Sequence, residues 1–502
     1  MNLSQKNVTS IKNVPVPNEQ IFTLPEKVLQ FGTGVLLRGL NDYYIDKANK
    51  QGVFNGRVVV VKSTDSGGAD AFADQDGLYT HLIRGIDAGK KIDEVIINAS
   101  VSRVLSAKKE WKEILKCAAD PAIQIVLSNT TEVGITLKED DKIGAAPPSS
   151  FPGKLLAFLY HRYITFSGSQ DAGLVIIPTE LILDNGAKLK NIVNALAKLN
   201  GLDEMFINWL NSANDFCNSL VDRIVPGKLS KQEHEIAEAG LGYKDELMIM
   251  SECYSLWAIE TSKARTKEIL SFSKADENVV IVDNIDKYRE LKLRLLNGSH
   301  TFSCGLACVS GFTTVKEAMA DETFNDFITS LMMDEISPAI AGKLITLEEA
   351  KAFANKVLDR YRNPYIQHQW LSISVQYTSK LKMRTVPLLV SYYNQHGLPP
   401  QHMALGFAAY LLFMKSELNE KGQYIGKLNS REYLIQDDNA AVLHDKWKEN
   451  NEGSIAHYVL QDENLWGIDL TQLPGLTNAV SYYLQSLIHK GVRTVAGAIS
   501  QK

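Results

Sequence analysis

Apolar positions change rhythm once along the 502 residues. In the first half, short β-branched runs recur: VLQF at 28–31, RVVVV at 57–61, IQIVLSN at 123–129, GLVIIPT at 173–179 and NVVIVDN at 278–284. Their continuous apolar character suits strands buried on both faces, and the helix-forming text between them suits the crossovers of a parallel sheet. After about residue 285 the runs nearly vanish. Segments such as ETFNDFITSLMMDEI, LEEAKAFANKVLDRY and HMALGFAAYLLFMK show helical spacing instead, punctuated by Pro387, Pro399, Pro400 and Pro474 with Gly397, Gly422 and Gly475. The pattern predicts an α/β domain with a mainly parallel sheet over residues 1–284, followed by an all-α domain over 285–502. No repeat or low-complexity linker separates the two.

Composition narrows the class. With 45% hydrophobic and 22% charged residues the chain is that of a globular protein, long enough for two cores. A net charge of −5 and the lack of any basic run leave no electrostatic footprint for nucleic acid. No apolar run approaches the roughly 18 residues of a membrane span, and the N-terminus has no leader pattern. Five scattered cysteines (117, 217, 253, 304 and 308) without paired metal-type spacing argue for reduced thiols. The expectation is a cytoplasmic protein, monomeric or weakly homo-oligomeric.

Between the first predicted strand and its helix stands Gly32-Thr33-Gly34, with Val35 and Leu36 opening the helix. Backbone without Cβ there can approach a pyrophosphate, and the first helical N–H groups point at it, so a Rossmann-type dinucleotide site is expected. The third glycine of GxGxxG is replaced by Leu37, with Gly39 two residues on, and an ordinary βα turn is the competing reading. Asn129 and Thr130, after another strand, are further candidate cofactor contacts. In VKSTDS, Asp65 could accept the ribose hydroxyls of NAD, whereas Lys62 could meet a 2′-phosphate; NAD is the expected cofactor.

In LKLRLLNGSHTF (291–302), Lys292, His300 and Asn297 fall at about 0°, 80° and 140° on a helix turning roughly 100° per residue. One side of the cylinder then carries a lysine, an amide and an imidazole. A partly desolvated lysine would have the lowered pKa a general base needs, and the amide could hold a developing alkoxide. His300, Cys304 and Cys308 recur every four residues, yet turns rise about 5.4 Å each, too far apart for one ion. No metal is expected.

KLRLLNGSH, preceded by a strand ending in VDN and by Tyr288, resembles the signature of the mannitol dehydrogenase family, the polyol-specific long-chain dehydrogenases. FGTGVLLRG, QDGLYT (75–80), VDRIVPG (221–227) and SECYSLWAIE (251–260) are similar to further motifs of that family. The resemblance implies metal-independent, NAD(P)-dependent oxidation of a secondary alcohol at a cleft between a Rossmann-type and a helical domain. It also implies Lys292 as general acid/base, Asn297 and His300 on the reacting oxygen and substrate hydroxyls, and Asp222, Arg360 and Lys380 lining the substrate pocket. Two positions depart from the pattern. Leu181 stands where a second oxyanion-hole asparagine is usual, ahead of Asn185-Gly186, and Arg289 stands where a glutamate is usual. Asn185 stays a candidate substrate contact. Loss of a neutral donor and gain of Arg289, if it faces the pocket, suit an acid substrate, whose carboxylate Arg360 and Lys380 would meet with Arg384 behind them. A neutral polyol, a non-catalytic nucleotide-sensing protein and a methyltransferase are the alternatives.

Overall fold

The computed structural model describes residues 1–63, 69–130, 133–428 and 431–500. The chain divides into two compact units, Met1–Arg84 with Lys91–Ile285, and Gly85–Lys90 with Asp286–Lys502.

In the first unit the strands run β1 (Glu26–Phe31), β2 (Arg57–Lys62), β3 (Tyr79–Asp87), β4 (Lys90–Asn98), β5 (Val101–Ser106), β6 (Ile125–Ser128), β7 (Val175–Pro178), β8 (Asp215–Phe216), β9 (Ser219–Asp222), β10 (Ile249–Ser251), β11 (Leu256–Glu260) and β12 (Val279–Val282). Six of them form one parallel sheet in the order β5-β2-β1-β6-β7-β8. Counted within the sheet this is 3-2-1-4-5-6, the doubly wound order. The crossovers change face at β1 and β6, which opens a crevice beyond the carboxyl ends of those two strands. Both faces are covered, as the apolar runs require. Leu29 and Phe31 pack with Ile114, Phe158 and Leu189 on one side, and Val28 packs with Tyr44, Ile45 and Trp257 on the other.

The sheet differs from the expectation in two respects. The run at 278–284 supplies β12 to a separate mixed sheet, pairing parallel with β11, which in turn pairs antiparallel with β9. A third sheet, β10-β3-β4, comes from text too polar to read as buried strands. The helix after the glycine turn is also broken. It runs Val35–Gly39 and then Asn41–Lys50, with Leu40 at φ −127°, ψ −70° between them.

The second unit is mostly helical. Helix Gln401–Phe413 is apolar all round and buried along its length, as a central element must be. Helix Ser299–Val309 crosses it so closely that a Cβ on Gly305 would lie 2.9 Å from the Ala409 carbonyl. Beside its helices this unit carries a small antiparallel sheet of β13 (Ser416–Leu418), β14 (Tyr424–Leu428) and β15 (Arg431–Leu434). Two segments, Leu291–Gly298 and Leu331–Ile336, are π-helical.

Candidate active site

At the end of β1 the Gly32 N–H still donates to the Val61 carbonyl (3.0 Å), and Asn129 N–H after β6 donates to the Phe31 carbonyl (3.1 Å). The strand order thus brings the glycine turn and Asn129 side by side. Gly32 has φ +128°, and a Cβ there would come within 2.9 Å of Leu37 Cδ1 and 3.0 Å of the Asn129 carbonyl oxygen. Gly34, at φ −62°, caps the helix that starts at Val35, and a Cβ there would meet none of the described residues within 4 Å. The protein's own packing therefore demands glycine at 32, whereas at 34 open space faces a helix N-terminus, which is a fit for a phosphate. A cavity of about 400 Å³ is lined by Gly32, Thr33, Gly34, Ser63, Asn129 and Thr130. Val35 and Leu36 are half-buried and pack on the core beneath. Lys138 and Lys154, which sequence reading missed, add cations to the same cavity. Asp65 lies outside the described residues, and Lys62 is buried on β2 rather than held in a solvated loop.

A buried carboxylate orders this rim. Glu180 accepts from Thr130 N–H (2.9 Å), Thr130 Oγ1 (2.9 Å) and Ser128 Oγ (3.0 Å). Burial pushes its pKa up, and those hydrogen bonds oppose the shift. Asn129 Nδ2 donates to the Thr179 carbonyl (3.0 Å) and hydroxyl (3.1 Å). Asn185 is occupied elsewhere. Its Nδ2 donates to the carbonyls of Pro178, Glu180 and Ser219, and its Oδ1 accepts from Gly186 and Ser219 N–H. An amide so fully engaged knits the chain after β7. Leu181 is 61% exposed. Asp222, the last residue of β9, is buried opposite Leu256.

In the second unit the π-helical turn Leu291–Gly298 carries Lys292 and Asn297, both half-buried, and runs directly into the helix that carries His300. A π turn bonds residue i to i+5, so the 100° arithmetic does not apply within it. The wide turn is fixed from outside. Arg294 donates from Nε to Glu290 (2.9 Å) and from Nη1 to the carbonyls of Met383 and Arg384 (2.9 Å each). Thr301 Oγ1 donates to the Asn297 carbonyl (2.7 Å) and accepts from Arg384 Nη1 (3.3 Å).

The His300 ring lies 4.1 Å from that of Tyr361, 5.1 Å from that of His368 and 5.8 Å from that of Trp370, centroid to centroid. Its Nδ1 is buried and has no hydrogen-bond partner among the described residues. Burial holds the imidazole well below its usual pKa, reinforced by His368, Arg360, Arg384 and Lys380. A neutral ring that can both donate and accept follows. Burial, and then Arg384, lowers the Lys380 ammonium, whose Nζ donates to the Ile373 carbonyl (2.9 Å). Arg360, Lys380 and Arg384 thus act together on one imidazole, the electrostatics of an anion site. Arg289 pairs with Asp286 (3.0 Å), so the argument for an acid substrate stands on the three other cations. Cys304 donates to the Trp370 carbonyl (3.2 Å), and its burial pushes the thiol up. Among the described residues no three His, Cys, Asp or Glu side chains are grouped to hold a metal. His368, Tyr361 and Glu180 escaped sequence reading, because only tertiary structure brings them to these sites.

Residues 26–271 match the mannitol dehydrogenase Rossmann domain, and residues 284–488 match the mannitol dehydrogenase C-terminal domain. The altronate oxidoreductase of Halalkalibacterium halodurans is 38% identical over 99% of this chain and 98% of its own length. That of Bacillus subtilis is 39% identical over 93% and 94% respectively. Pseudomonas fluorescens mannitol 2-dehydrogenase, solved as a ternary complex with NAD and D-mannitol, shares the fold with a TM-score of 0.68 at 24% identity over 100% of both chains. A D-sorbitol dehydrogenase in substrate-free form does so with a TM-score of 0.76 at 21% identity, over 99% of this chain and 100% of its own. With both domains matched in order and relatives this similar over nearly the whole length, the chain belongs to the mannitol dehydrogenase family.

Proposed function

We propose that this protein is an NAD-dependent oxidoreductase that interconverts altronate and tagaturonate in the breakdown of hexuronates. The sugar-acid reading is carried by the similarity, over nearly the whole length, to relatives named altronate oxidoreductase, and Arg360, Lys380 and Arg384, the cations whose charge reaches His300, suit it. A carboxylate buried without a partner is costly, and these cations are groups that could meet it.

Gly32, Thr33 and Gly34 would cradle the pyrophosphate, with Asn129 and Thr130 beside it, and Asp65 is the residue proposed to favour NAD through the ribose hydroxyls. When bound, NAD supplies the hydride acceptor. Lys292 Nζ takes the proton of the secondary hydroxyl during oxidation and returns one to the carbonyl oxygen during reduction. The Asn297 amide donates to that oxygen and favours the charge developing on it. His300, kept neutral by its surroundings, binds a neighbouring hydroxyl without adding charge. Asp222 is retained as a substrate contact.

Rates with NADH on tagaturonate, fructuronate and fructose test the substrate, with tagaturonate expected fastest. Fructose reduced faster than either acid would reject the sugar-acid reading. Lys292→Ala should lower kcat by about 10²–10⁴-fold while NADH still binds. Undiminished turnover would remove the lysine from the mechanism.

A further inference from the structure

We propose that His368 is a substrate-contacting residue that selects for a carboxylate, taking up one proton from solvent as the anion enters. The proposal rests on the sugar-acid reading above.

His368 lies in the irregular segment between helices Leu347–Tyr361 and Trp370–Ile373. Its main chain is fixed. The His368 carbonyl accepts from Val315 N–H (2.9 Å), Trp370 N–H donates to the Thr313 carbonyl (3.1 Å), and Trp370 Nε1 donates to the Thr314 carbonyl (3.1 Å). The ring is half-buried and stands 5.1 Å from that of His300 at 63°. Among the described residues it makes no hydrogen bond, so a side chain held in place by its backbone keeps both nitrogens for something else.

The groups that face the two imidazoles come from three helices. Helix Ser299–Val309 brings His300, helix Leu347–Tyr361 brings Arg360 and Tyr361, and helix Tyr377–His396 brings Lys380 and Arg384. Glu317, on the helix whose first residue bonds the His368 carbonyl, is taken up by the Thr313 and Thr314 N–H groups (3.0 and 3.1 Å), and the charges with the largest effect on the two rings are cations. Burial, Arg360 and Lys380 therefore hold His368 below its usual pKa. At about pH 7 the empty site presents two neutral imidazoles beneath three cations.

An entering carboxylate reverses that balance. It offsets the field of the cations and offers an acceptor oxygen, so protonation of an adjacent imidazole becomes favourable and yields a charge-assisted hydrogen bond. The proton comes from solvent and returns to it when the anion leaves. His368 is the ring to take it, because His300 is only 7% exposed and sits deeper in the same field. A neutral polyol brings no charge and leaves His368 unprotonated, which is the basis of selection. The sign follows from linkage. Binding raises the pKa of His368, so affinity for the acid is greatest at low pH and falls as pH rises through the bound-state value, by at most about tenfold per pH unit.

The test is titration calorimetry of altronate into the full protein saturated with NADH, a dead-end complex that does not turn over, at about pH 7. Buffers of different ionisation enthalpy read the number of protons taken up. Wild type should take up about one proton with altronate and none with altritol, the neutral polyol. His368→Asn and His368→Gln should abolish the uptake and weaken altronate binding about tenfold or more, with NADH affinity unchanged. Altronate binding to wild type with no buffer dependence, or uptake that persists in either variant, would overturn the role of His368 alone. Altritol bound as tightly as altronate by wild type would overturn the sugar-acid reading and this proposal with it.

Discussion

The Tyr361 hydroxyl donates to the Leu296 carbonyl over 2.9 Å, inside the wide turn that carries Lys292 and Asn297. The same hydroxyl stands 2.8 Å from Ser299 Oγ, where the chain returns to α-helical bonding. The Leu296 carbonyl also accepts from the Ser299 N–H, so the tyrosine adds a tertiary hydrogen bond to a turn that the backbone itself closes. Burial pushes the phenol well up, so it remains a donor at any working pH. Tyr361→Phe is expected to cost about 1 kcal/mol of stability, the effect of losing one buried hydrogen bond while the Leu296 carbonyl keeps the Ser299 N–H. It should lower kcat, because the turn that positions Lys292 and Asn297 relaxes, and should leave NADH affinity alone. Urea denaturation and steady-state kinetics together check this; a variant with wild-type stability and kcat would show that the turn holds its own shape.

Much of the first unit can be read from its residues, and the reason is specific. Strands β1, β2, β6 and β7 are apolar on both faces, so their composition alone marks them as interior to a doubly wound sheet. The glycine turn follows because Gly32 adopts a conformation that side chains avoid. By contrast, β3 and β4 interleave Thr80, His81, Arg84, Lys91 and Asp93 with their apolar residues, and nothing in that alternation distinguishes them from helix or loop. The π turn is invisible for another reason: apolar spacing reports which face is buried, not which carbonyl each N–H chooses. Nor does an exposed-looking Asn-Gly pair hint that five backbone groups claim the Asn185 amide. Glu180 and His368 are single polar residues whose partners lie 50 and 68 positions away, at Thr130 and His300. Such pairs exist only once the chain has folded.

The two glycines of the turn should respond differently to the same substitution. Gly32→Ala forces a side chain into a positive-φ position and against the Asn129 carbonyl, and is expected to destabilise the first unit by ~2 kcal/mol or more. Gly34→Ala meets no atom of the described residues and keeps an ordinary φ, so stability should stay within about 0.5 kcal/mol of wild type. Its methyl group occupies the space assigned to the pyrophosphate, and NADH affinity should fall by about tenfold or more. Thermal melts paired with NADH fluorescence titrations separate the two effects. Normal cofactor binding by Gly34→Ala would move the phosphate site away from this turn.

Glu180→Gln tests the carboxylate behind the cofactor rim. The amide keeps one acceptor oxygen but presents an NH₂ group to one or more of the present donors, Thr130 N–H, Thr130 Oγ1 and Ser128 Oγ. Losing one or two buried hydrogen bonds, each worth about 1 kcal/mol, should loosen the Asn129–Thr130 segment. NADH affinity is expected to drop about fivefold, with kcat at saturating cofactor close to wild type. A loss confined to kcat would assign Glu180 to the chemistry instead of to the rim.

Asp42 sets a pH dependence whose sign can be worked out. Its side chain is fully buried, with Oδ2 accepting from Gln30 Nε2 (3.3 Å) and Oδ1 without a partner. Burial raises its pKa to about 7, opposed by Gln30 and Arg38 and reinforced by Asp46. In the unfolded chain an aspartate titrates near 4, so between about pH 4 and 7 the folded state binds a proton that the unfolded state has released. Stability therefore falls as pH rises through that window and levels off above it. Asp42→Asn should remove this share of the slope, becoming more stable than wild type at about pH 8 by on the order of 2 kcal/mol and differing little at about pH 4.5. Asp46, Asp245 and Glu180, also raised by burial, keep the remainder of the slope in the variant. Denaturation curves across that range decide the matter: parallel pH profiles for variant and wild type would mean that Asp42 is ionised in the folded protein throughout, held by Arg38 more strongly than its burial opposes.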